Sequence, residues 1–244
     1  MAYIKIPPLN KLPDSSLKKR KLTDDVWINN IFHFILKYCQ KADTSEIKQL
    51  IEKELEKQQA EIEKVLKEHI YNFLDNDTDF GLHGFIVNLE PKNIKCNKEG
   101  FYDLKFQHSD WQKKYFSFEA KNLGKIKSKS QAASIDEYVY VKSKNDGGMY
   151  RYFTGKYACE LNFGGMLGFI VGENKGLIKK LKDKILLVYN NHSIGNMVDE
   201  LIMNKSIENN ENTFTTIHKR KNNIIDGSDK FYLHHILLDF TSKD

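Results

Sequence analysis

The stretch from Gly100 to Gly124 constrains the fold of this 244-residue chain more than any other. It contains two segments in which apolar and polar residues alternate, residues 101–107 (FYDLKFQ) and residues 115–121 (YFSFEAK). Because successive side chains of a β-strand point to opposite faces, each segment predicts a half-buried strand. The polar residues 108–114 between them predict a short connection. We therefore expect two paired strands at the centre of the fold.

The polar faces of these two predicted strands carry a small set of charges. Asp103 lies on the polar face of the first strand, and Glu119 and Lys121 lie on that of the second. If the strands pair, the three side chains gather on one side of the sheet. Two carboxylates beside a lysine are suited to a hard divalent cation. A salt-bridged, metal-free face of an edge hairpin explains the same alternation, and both interpretations stay open at this point.

Asp103 followed by the triplet Glu119-Ala120-Lys121, each on an alternating strand, resembles the signature of the PD-(D/E)XK nuclease superfamily. The resemblance covers roughly residues 46–172, and Tyr102 stands where the family name has proline. The predicted element order, helix, three strands, helix and strand, is also the core order of that superfamily. The resemblance implies an α/β fold of the restriction-endonuclease-like class, with a mixed central sheet flanked by helices. It also implies a Mg²⁺-dependent DNA nuclease, with Mn²⁺ as a substitute ion and RNA as an alternative substrate.

The resemblance assigns roles to individual residues. Asp103, Glu119 and the backbone carbonyl of Ala120 would bind the metal ion. Lys121 would orient the attacking water, favour hydroxide or stabilise charge on the phosphate. Members of the superfamily often add an acidic residue from the helix before the first strand. Glu63 is the candidate here because it flanks the apolar stripe of that helix, and an ordinary surface role for Glu63 is an equal alternative.

Basic residues after the triplet predict contacts to a nucleic-acid backbone. Lys125, Lys127 and Lys129 follow directly in the chain, and Arg151 and Lys156 lie on a later predicted helix. The formal net charge of +5, from 38 basic and 33 acidic residues, is compatible with a polyanionic partner. Restriction-type members of the superfamily often form homodimers, so a homodimer is a further expectation.

Cysteine usage and hydropathy predict a cytoplasmic protein without membrane association. Three cysteines lie far apart with no C-x-x-C pair, which argues against a zinc site or a disulfide framework and favours a reducing compartment. The amino terminus lacks a signal-peptide core. The longest apolar run, around residues 163–171, is too short to span a bilayer.

The chain is predicted to divide into an N-terminal arm and helix, residues 1–45, and a nuclease-like α/β domain, residues 46–244. A capping box at Asp43 opens a second long helix, which either continues to Leu74 or breaks near Gln58. Other predicted helices cover residues 24–40, 149–161, 173–189 and 196–203. Other predicted strands cover residues 83–89, 135–141, 166–171, 214–219 and 231–240.

Two further functions compete with the nuclease. The first is a non-catalytic module that binds nucleic acid or protein on the same fold, with structural carboxylates. The second is an interaction protein built on its charged helices, in which the triplet is coincidental. Cleavage that requires Mg²⁺ or Mn²⁺ and disappears with EDTA distinguishes the nuclease from both.

Overall fold

The computed structural model describes residues 23–93, 100–124, 134–172, 175–189, 196–197, 212–219 and 230–241. Four helices of the described chain precede the first strand, and three more lie between later strands. They are α1 (Asp24–Lys41), α2 (Thr44–Leu55), α3 (Ile62–Asp75), α4 (Thr78–Leu82), α5 (Ile135–Val139), α6 (Gly148–Phe153) and α7 (Leu177–Tyr189). The second predicted helix therefore breaks, as one of its two alternatives had it, and α2 and α3 are separate.

The strands of the described chain form one open, mixed sheet. They are β1 (Phe85–Leu89), β2 (Leu104–His108), β3 (Phe116–Leu123), β4 (Phe163–Ile170), β5 (Asn196–Met197), β6 (Thr213–Lys219) and β7 (Lys230–Asp239). Their order across the sheet is β1-β2-β3-β4-β7-β6-β5. The pairs β3–β4 and β4–β7 are parallel and the other neighbours are antiparallel. The prediction of an α/β chain with a mixed central sheet flanked by helices is confirmed.

The central pair of strands forms as the alternation predicts. Leu104 lies opposite Phe118 and Phe106 lies opposite Phe116, in an antiparallel register. All four of these side chains are buried. Asp103 stands in a bend one residue before β2 begins, so the strand is shorter at this end than predicted.

Helix α1 covers one face of the sheet. The ring of Phe32 on this helix lies 5.7 Å from that of Phe116 and 5.9 Å from that of Phe118, measured between ring centroids. Helix α3 packs on α1, where the hydroxyl of Tyr38 lies 3.0 Å from Nδ1 of His69, and it also contacts β1 and β3. The first helix is thus part of the packed layer over the sheet.

Helices α5 and α6 cover the opposite face. Tyr152 on α6 donates its hydroxyl proton to the backbone carbonyls of Ser117 and Gly165, at 3.0 and 2.8 Å. On α5, the hydroxyl of Tyr138 lies 2.9 Å from Nδ1 of His235 on β7. Because residues alternate along β3, the side chain of Glu119 points to this face, away from that of Phe118.

Three predictions of secondary structure are wrong. Of the strand predicted over residues 135–141, Ile135–Val139 form the helix α5, because Ser134 caps the helix by accepting a hydrogen bond from the backbone N–H of Asp136. The helix predicted over residues 149–161 ends at Phe153, and Gly155 follows with φ 72°. Residues 196–197 form strand β5 and not the start of a helix, and the rest of that predicted helix lies outside the described residues.

Two sequence expectations concern the environment of the protein. None of the helices in the described ranges combines the length and apolar character needed to cross a bilayer. The expectation of reduced cysteines is wrong in part. Cys39 is a free thiol, whereas Cys159 is disulfide-bonded. Sequence separation between cysteines does not report their distance in space.

Candidate active site

Three elements bring the predicted catalytic residues to one place. The bend before β2 carries Asp103, strand β3 carries Glu119, Ala120 and Lys121, and the first turn of α3 carries Glu63. The antiparallel pairing of β2 with β3 and the packing of α3 on β3 determine this convergence. The side chains lie within contact distance of one another, as the following pairs of atoms show.

Asp103 is held at both carboxylate oxygens. Its backbone N–H donates to the carbonyl of Phe118 at 3.1 Å, which anchors the bend to β3. Its Oδ2 accepts a hydrogen bond from the backbone N–H of Ala120 at 2.6 Å. Its Oδ1 accepts one from Nζ of Lys67 at 2.5 Å. Asp103 therefore has a partner from the protein at each oxygen.

Glu119 is completely buried and is held at only one oxygen. Its Oε1 lies 2.7 Å from Nζ of Lys121 and accepts a hydrogen bond from Nη1 of Arg151 at 2.6 Å. Its Oε2 is buried and makes no hydrogen bond of good geometry within the described residues. The phenol of Tyr157 lies close enough to interact with the Glu119 carboxylate, but it donates its proton to the carbonyl of Phe101 at 2.6 Å. Burial raises the pKa of Glu119, and the charges of Lys121 and Arg151 oppose this rise.

Lys121 is the centre of the cluster. Besides Glu119, its ammonium donates to the carbonyl of Ala120 at 2.6 Å and lies 3.4 Å from both carboxylate oxygens of Glu63. Burial lowers the pKa of Lys121, but the charges of Glu119 and Glu63 outweigh burial, so that the pKa lies above its ordinary value. Lys121 is therefore protonated at neutral pH.

Glu63 faces the cluster from α3, with 27 % of its side chain exposed. Burial raises its pKa to about 7, and the charge of Lys121 opposes this rise. Its nearest cations are at long distances, 3.4 Å to Nζ of Lys121 and 3.9 Å to that of Lys67. The carboxyl group thus changes its charge close to neutral pH.

Arg151 belongs to the cluster more directly than its predicted role as a phosphate contact implies. Its Nε and Nη2 donate to the two carboxylate oxygens of Asp146 at 3.0 and 2.8 Å, and its Nη1 donates to Glu119. These bonds from Arg151 lower the pKa of Asp146 to about 2. The guanidinium thus links the end of a loop to the centre of β3.

Of the other residues predicted to contact nucleic acid, the described part of the chain includes only Lys156. Lys156 follows α6, and its Nζ lies 5.9 Å from the ring centre of Tyr157. Lys125, Lys127 and Lys129 lie outside the described residues. Contacts from these lysines and from Arg151 to a nucleic acid stay predictions.

Lys67 is the residue that sequence reasoning missed. It lies one helical turn after Glu63 on α3, and only 5 % of it is exposed. A signal was present, because residues four apart on a helix share one face. The same helix also carries the exposed Lys64, however, and nothing in the pattern distinguishes Lys67 from it. Arg151 was likewise noticed as a basic residue but not as the partner of Glu119.

A cavity of about 470 Å³ lies at the turn between β2 and β3. Three lysines line it, Lys105, Lys113 and Lys114. The ammonium of Lys105 lies 4.4 Å from the ring centre of Tyr115. The carboxylates of the cluster do not line this cavity, because the turn lies at the opposite end of the paired strands from Asp103.

The donor set suits a divalent metal ion by its chemistry, but protein cations hold most of the oxygens. Carboxylates and a backbone carbonyl are oxygen ligands of the kind that Mg²⁺ prefers, and the buried Oε2 of Glu119 makes no hydrogen bond among the described residues. Against this, Lys67 holds Asp103 and Lys121 holds Ala120. In the described chain no group of three His, Cys, Asp or Glu side chains is arranged as a metal site. The residues fit the ion on condition that it displaces an ammonium group.

Comparison of this chain with models of protein families, with curated proteins and with solved structures finds no match.

Proposed function

We propose that this protein is a metal-dependent nuclease that hydrolyses phosphodiester bonds in DNA on a restriction-endonuclease-like fold. The observation that carries the proposal is the convergence of Glu63 and Glu119 on Lys121, with Asp103 bonded to the backbone N–H of Ala120. The buried Oε2 of Glu119, which makes no hydrogen bond within the described residues, adds to it. Three elements that are distant in sequence contribute to the cluster. Such convergence has no evident purpose in a surface hairpin that is only salt-bridged.

The metal would be held by the carboxylates of Asp103 and Glu119 and by the carbonyl of Ala120. When bound, Mg²⁺ would supply positive charge that activates water and stabilises the transition state. Lys121 stays protonated, so it acts through its charge and not as a base. Its ammonium would stabilise negative charge that develops on the phosphate oxygens.

Glu63 is suited to move a proton. Its pKa of about 7 lies in the range where a carboxylate is both available and basic enough to accept a proton at neutral pH. Its two oxygens are only loosely held, at 3.4 Å from Lys121. Glu63 would therefore accept a proton from the attacking water, while the ammonium of Lys121 stabilises the negative charge on the phosphate oxygens.

The test is a cleavage assay on plasmid and linear DNA with Mg²⁺, Mn²⁺ or EDTA. Cleavage should require the ion and should be lost in the Asp103→Asn and Glu119→Gln proteins, because an amide lacks the negative charge with which a carboxylate attracts the ion. Lys121→Ala should lose most of the activity but keep metal binding. Glu52→Gln changes an exposed carboxylate of α2 and is the matched control.

The protein without DNA provides a second readout. Added Mn²⁺ should raise the melting temperature of the wild type and of Glu52→Gln, but not that of Asp103→Asn. If the wild type neither cleaves DNA nor responds to the ion, the metal-dependent nuclease is wrong.

A non-catalytic binding module is the second candidate. It is favoured by one specific observation, namely that Lys67 and Arg151 already neutralise Asp103 and Glu119 without a metal. This function predicts salt-sensitive binding of DNA with no cleavage under any ion.

For both candidate functions, neutralising Lys125, Lys127 and Lys129 together should flatten the dependence of DNA affinity on salt concentration. An unchanged salt dependence would exclude these three lysines from the contact.

A further inference from the structure

Lys67 stands among carboxylates in the way that a bound cation does. Its Nζ lies 2.5 Å from Oδ1 of Asp103, 2.9 Å from Oε1 of Glu90 and 3.9 Å from Oε1 of Glu63. The side chain leaves α3 and is almost completely buried. A lysine ammonium carries one positive charge and three donors, and here three carboxylates surround it.

Lys67 lowers the negative charge that a divalent ion would meet. The carboxylates of the cluster face three cations, Lys67, Lys121 and Arg151; they belong to Glu63, Glu90, Asp103, Glu119 and Asp146. Without Lys67 the excess of carboxylates over cations would be larger, so a divalent ion gains less electrostatic energy while Lys67 is in place. The ion would also find the Oδ1 of Asp103 already engaged.

Glu90 is a second carboxylate partner for the ammonium of Lys67 when that ammonium moves away from Asp103. About half of its side chain is exposed, and it already accepts a hydrogen bond from Lys67. Its backbone N–H donates to the carbonyl of Asp103 at 3.1 Å, which keeps Glu90 beside the bend. Lys67 can therefore release Asp103 and keep a carboxylate partner at the rim of the site, closer to solvent.

From this arrangement we infer that Lys67 is a built-in counter-cation that occupies Asp103 in the metal-free protein, and that a divalent ion binds by displacing it toward Glu90. Lys67 thereby sets the affinity of the site for the ion. The inference rests on the proposed function, because it assumes that Asp103 is a metal ligand. A purely structural salt bridge between α3 and β2 is the alternative.

The test is titration calorimetry with Mn²⁺ and with Mg²⁺ on four variants. Lys67→Met removes the charge, and the Lys67→Gln protein removes it but keeps a donor for Asp103. Both should bind Mn²⁺ about tenfold more tightly than the wild type, because the site gains one net negative charge. Lys67→Met in addition frees the Oδ1 of Asp103. Lys67→Arg keeps the charge and should not bind more tightly. Lys64→Met, on the exposed side of the same helix, is the matched control and should equal the wild type.

Thermal melting measures the same exchange without calorimetry. In EDTA, Lys67→Met should melt below the wild type, because Asp103 has lost its partner. Mn²⁺ should then raise its melting temperature by more than it raises that of the wild type. Lys67→Gln keeps the test valid if the Met variant does not fold.

The outcomes separate this inference from the proposed function. If the wild type binds Mn²⁺ and cleaves DNA while neither Lys67→Met nor Lys67→Gln binds more tightly, the inference is wrong and the nuclease stands. If the neutral variants bind Mn²⁺ more tightly but no variant cleaves DNA, the inference stands and the nuclease is wrong. Absence of Mn²⁺ binding in every variant overturns both.

Discussion

Arg151 shows how strongly a single residue controls the cluster. It is the side chain that joins Glu119 to Asp146, and it holds the same oxygen of Glu119 that Lys121 approaches. Glu119 is completely buried, so a lost partner cannot be replaced by bulk water. The contribution of Arg151 should therefore be visible in stability as well as in activity.

Arg151→Met should destabilise the protein by about 2 kcal/mol, because it leaves a buried carboxylate with one cation fewer. Arg151→Lys keeps the charge, but a lysine ammonium cannot contact both oxygens of Asp146 and also Glu119. Its stability should therefore lie between those of the wild type and Arg151→Met. Urea denaturation at pH 7 measures the difference. Equal stability of wild type and Arg151→Met would mean that Lys121 alone compensates Glu119.

Glu63 predicts a pH-dependent stability of definite sign. A carboxyl group whose folded pKa of about 7 exceeds its unfolded value near 4.3 stabilises the fold at low pH. This contribution is lost as the pH rises through 7. Glu63→Gln should therefore stabilise the protein at pH 8.5, by about 1 kcal/mol after allowance for its partial exposure, and should have little effect at pH 4. Denaturation curves of the wild type and Glu63→Gln at both pH values, with Glu52→Gln as control, measure this difference in the free energy of unfolding. An equal difference at the two pH values would contradict the prediction.

At the residue scale, strand alternation located most of the cluster but not its counter-charges. Asp103, Glu119 and Lys121 could be grouped because a period of two places them on one face. Lys67 and Arg151 could not be assigned, because their roles depend on how α3 and α6 lie over the sheet. That arrangement is a tertiary property, and local pattern does not contain it.

At the scale of elements, the close contact between β3 and β4 depends on a residue without a side chain. Gly165 lies opposite Phe118 in the parallel register. A Cβ atom at this position would stand 2.5 Å from ring atoms of both Phe116 and Phe118. Both rings are buried under α1 and have no room to move.

Gly165→Ala should therefore destabilise the protein by about 2 kcal/mol through overpacking. Gly81→Ala is the matched control, since no atom lies within 4 Å of the added Cβ and the residue is in helix α4. That substitution should be neutral or slightly stabilising. Chemical denaturation of both variants gives the comparison. Equal stability of the two proteins would contradict the tight packing of β3 on β4.

Elements with strong local signals were predicted well, and those that depend on caps were not. Helix α1 was predicted well because Trp27, Ile31 and Ile35 repeat at helical spacing, and its observed end lies within one residue of the predicted end. Residues 135–141 contain tyrosine and valine, which favour a strand, yet the cap at Ser134 and the acidic first turn make Ile135–Val139 helical. In so short an element, one capping contact can outweigh the strand preference of the few residues that it contains.

At the scale of the whole molecule, a buried histidine predicts sensitivity to acid. His235 is completely buried, between Tyr138 and Thr216, and burial holds its pKa well below the ordinary value. In the unfolded chain it takes up a proton near pH 6.5. The unfolded state then binds more protons than the folded state, so stability falls as the pH decreases below about 6.5.

His235→Gln should remove this dependence. The stability of the wild type should fall relative to the variant by about 1.4 kcal/mol per pH unit below pH 6.5. Comparison of the two proteins isolates the histidine from Glu63, whose contribution has the opposite sign. His33→Gln, at an exposed position of α1, should follow the wild type. Parallel pH profiles for wild type and His235→Gln would show that His235 is not buried as a neutral group.

The order of strands could not be predicted from the chain. The sequence predicted strands over residues 214–219 and 231–240 but not their place in the sheet. In the structure β7 lies inside the sheet, between β4 and β6. Its near-continuous apolar residues from Ile236 to Leu238 are typical of a strand covered on both faces, and that signal was not used.

The position of β7 has a consequence for synthesis of the protein on the ribosome. Strands β1 to β3 can pair as soon as they emerge, because each neighbour follows directly in sequence. One side of β4 stays open until residues 230–239 are made, about 60 residues later. During that interval the nascent chain presents an apolar strand edge to other molecules. A pause in translation before the codons of β7 would lengthen this period of exposure.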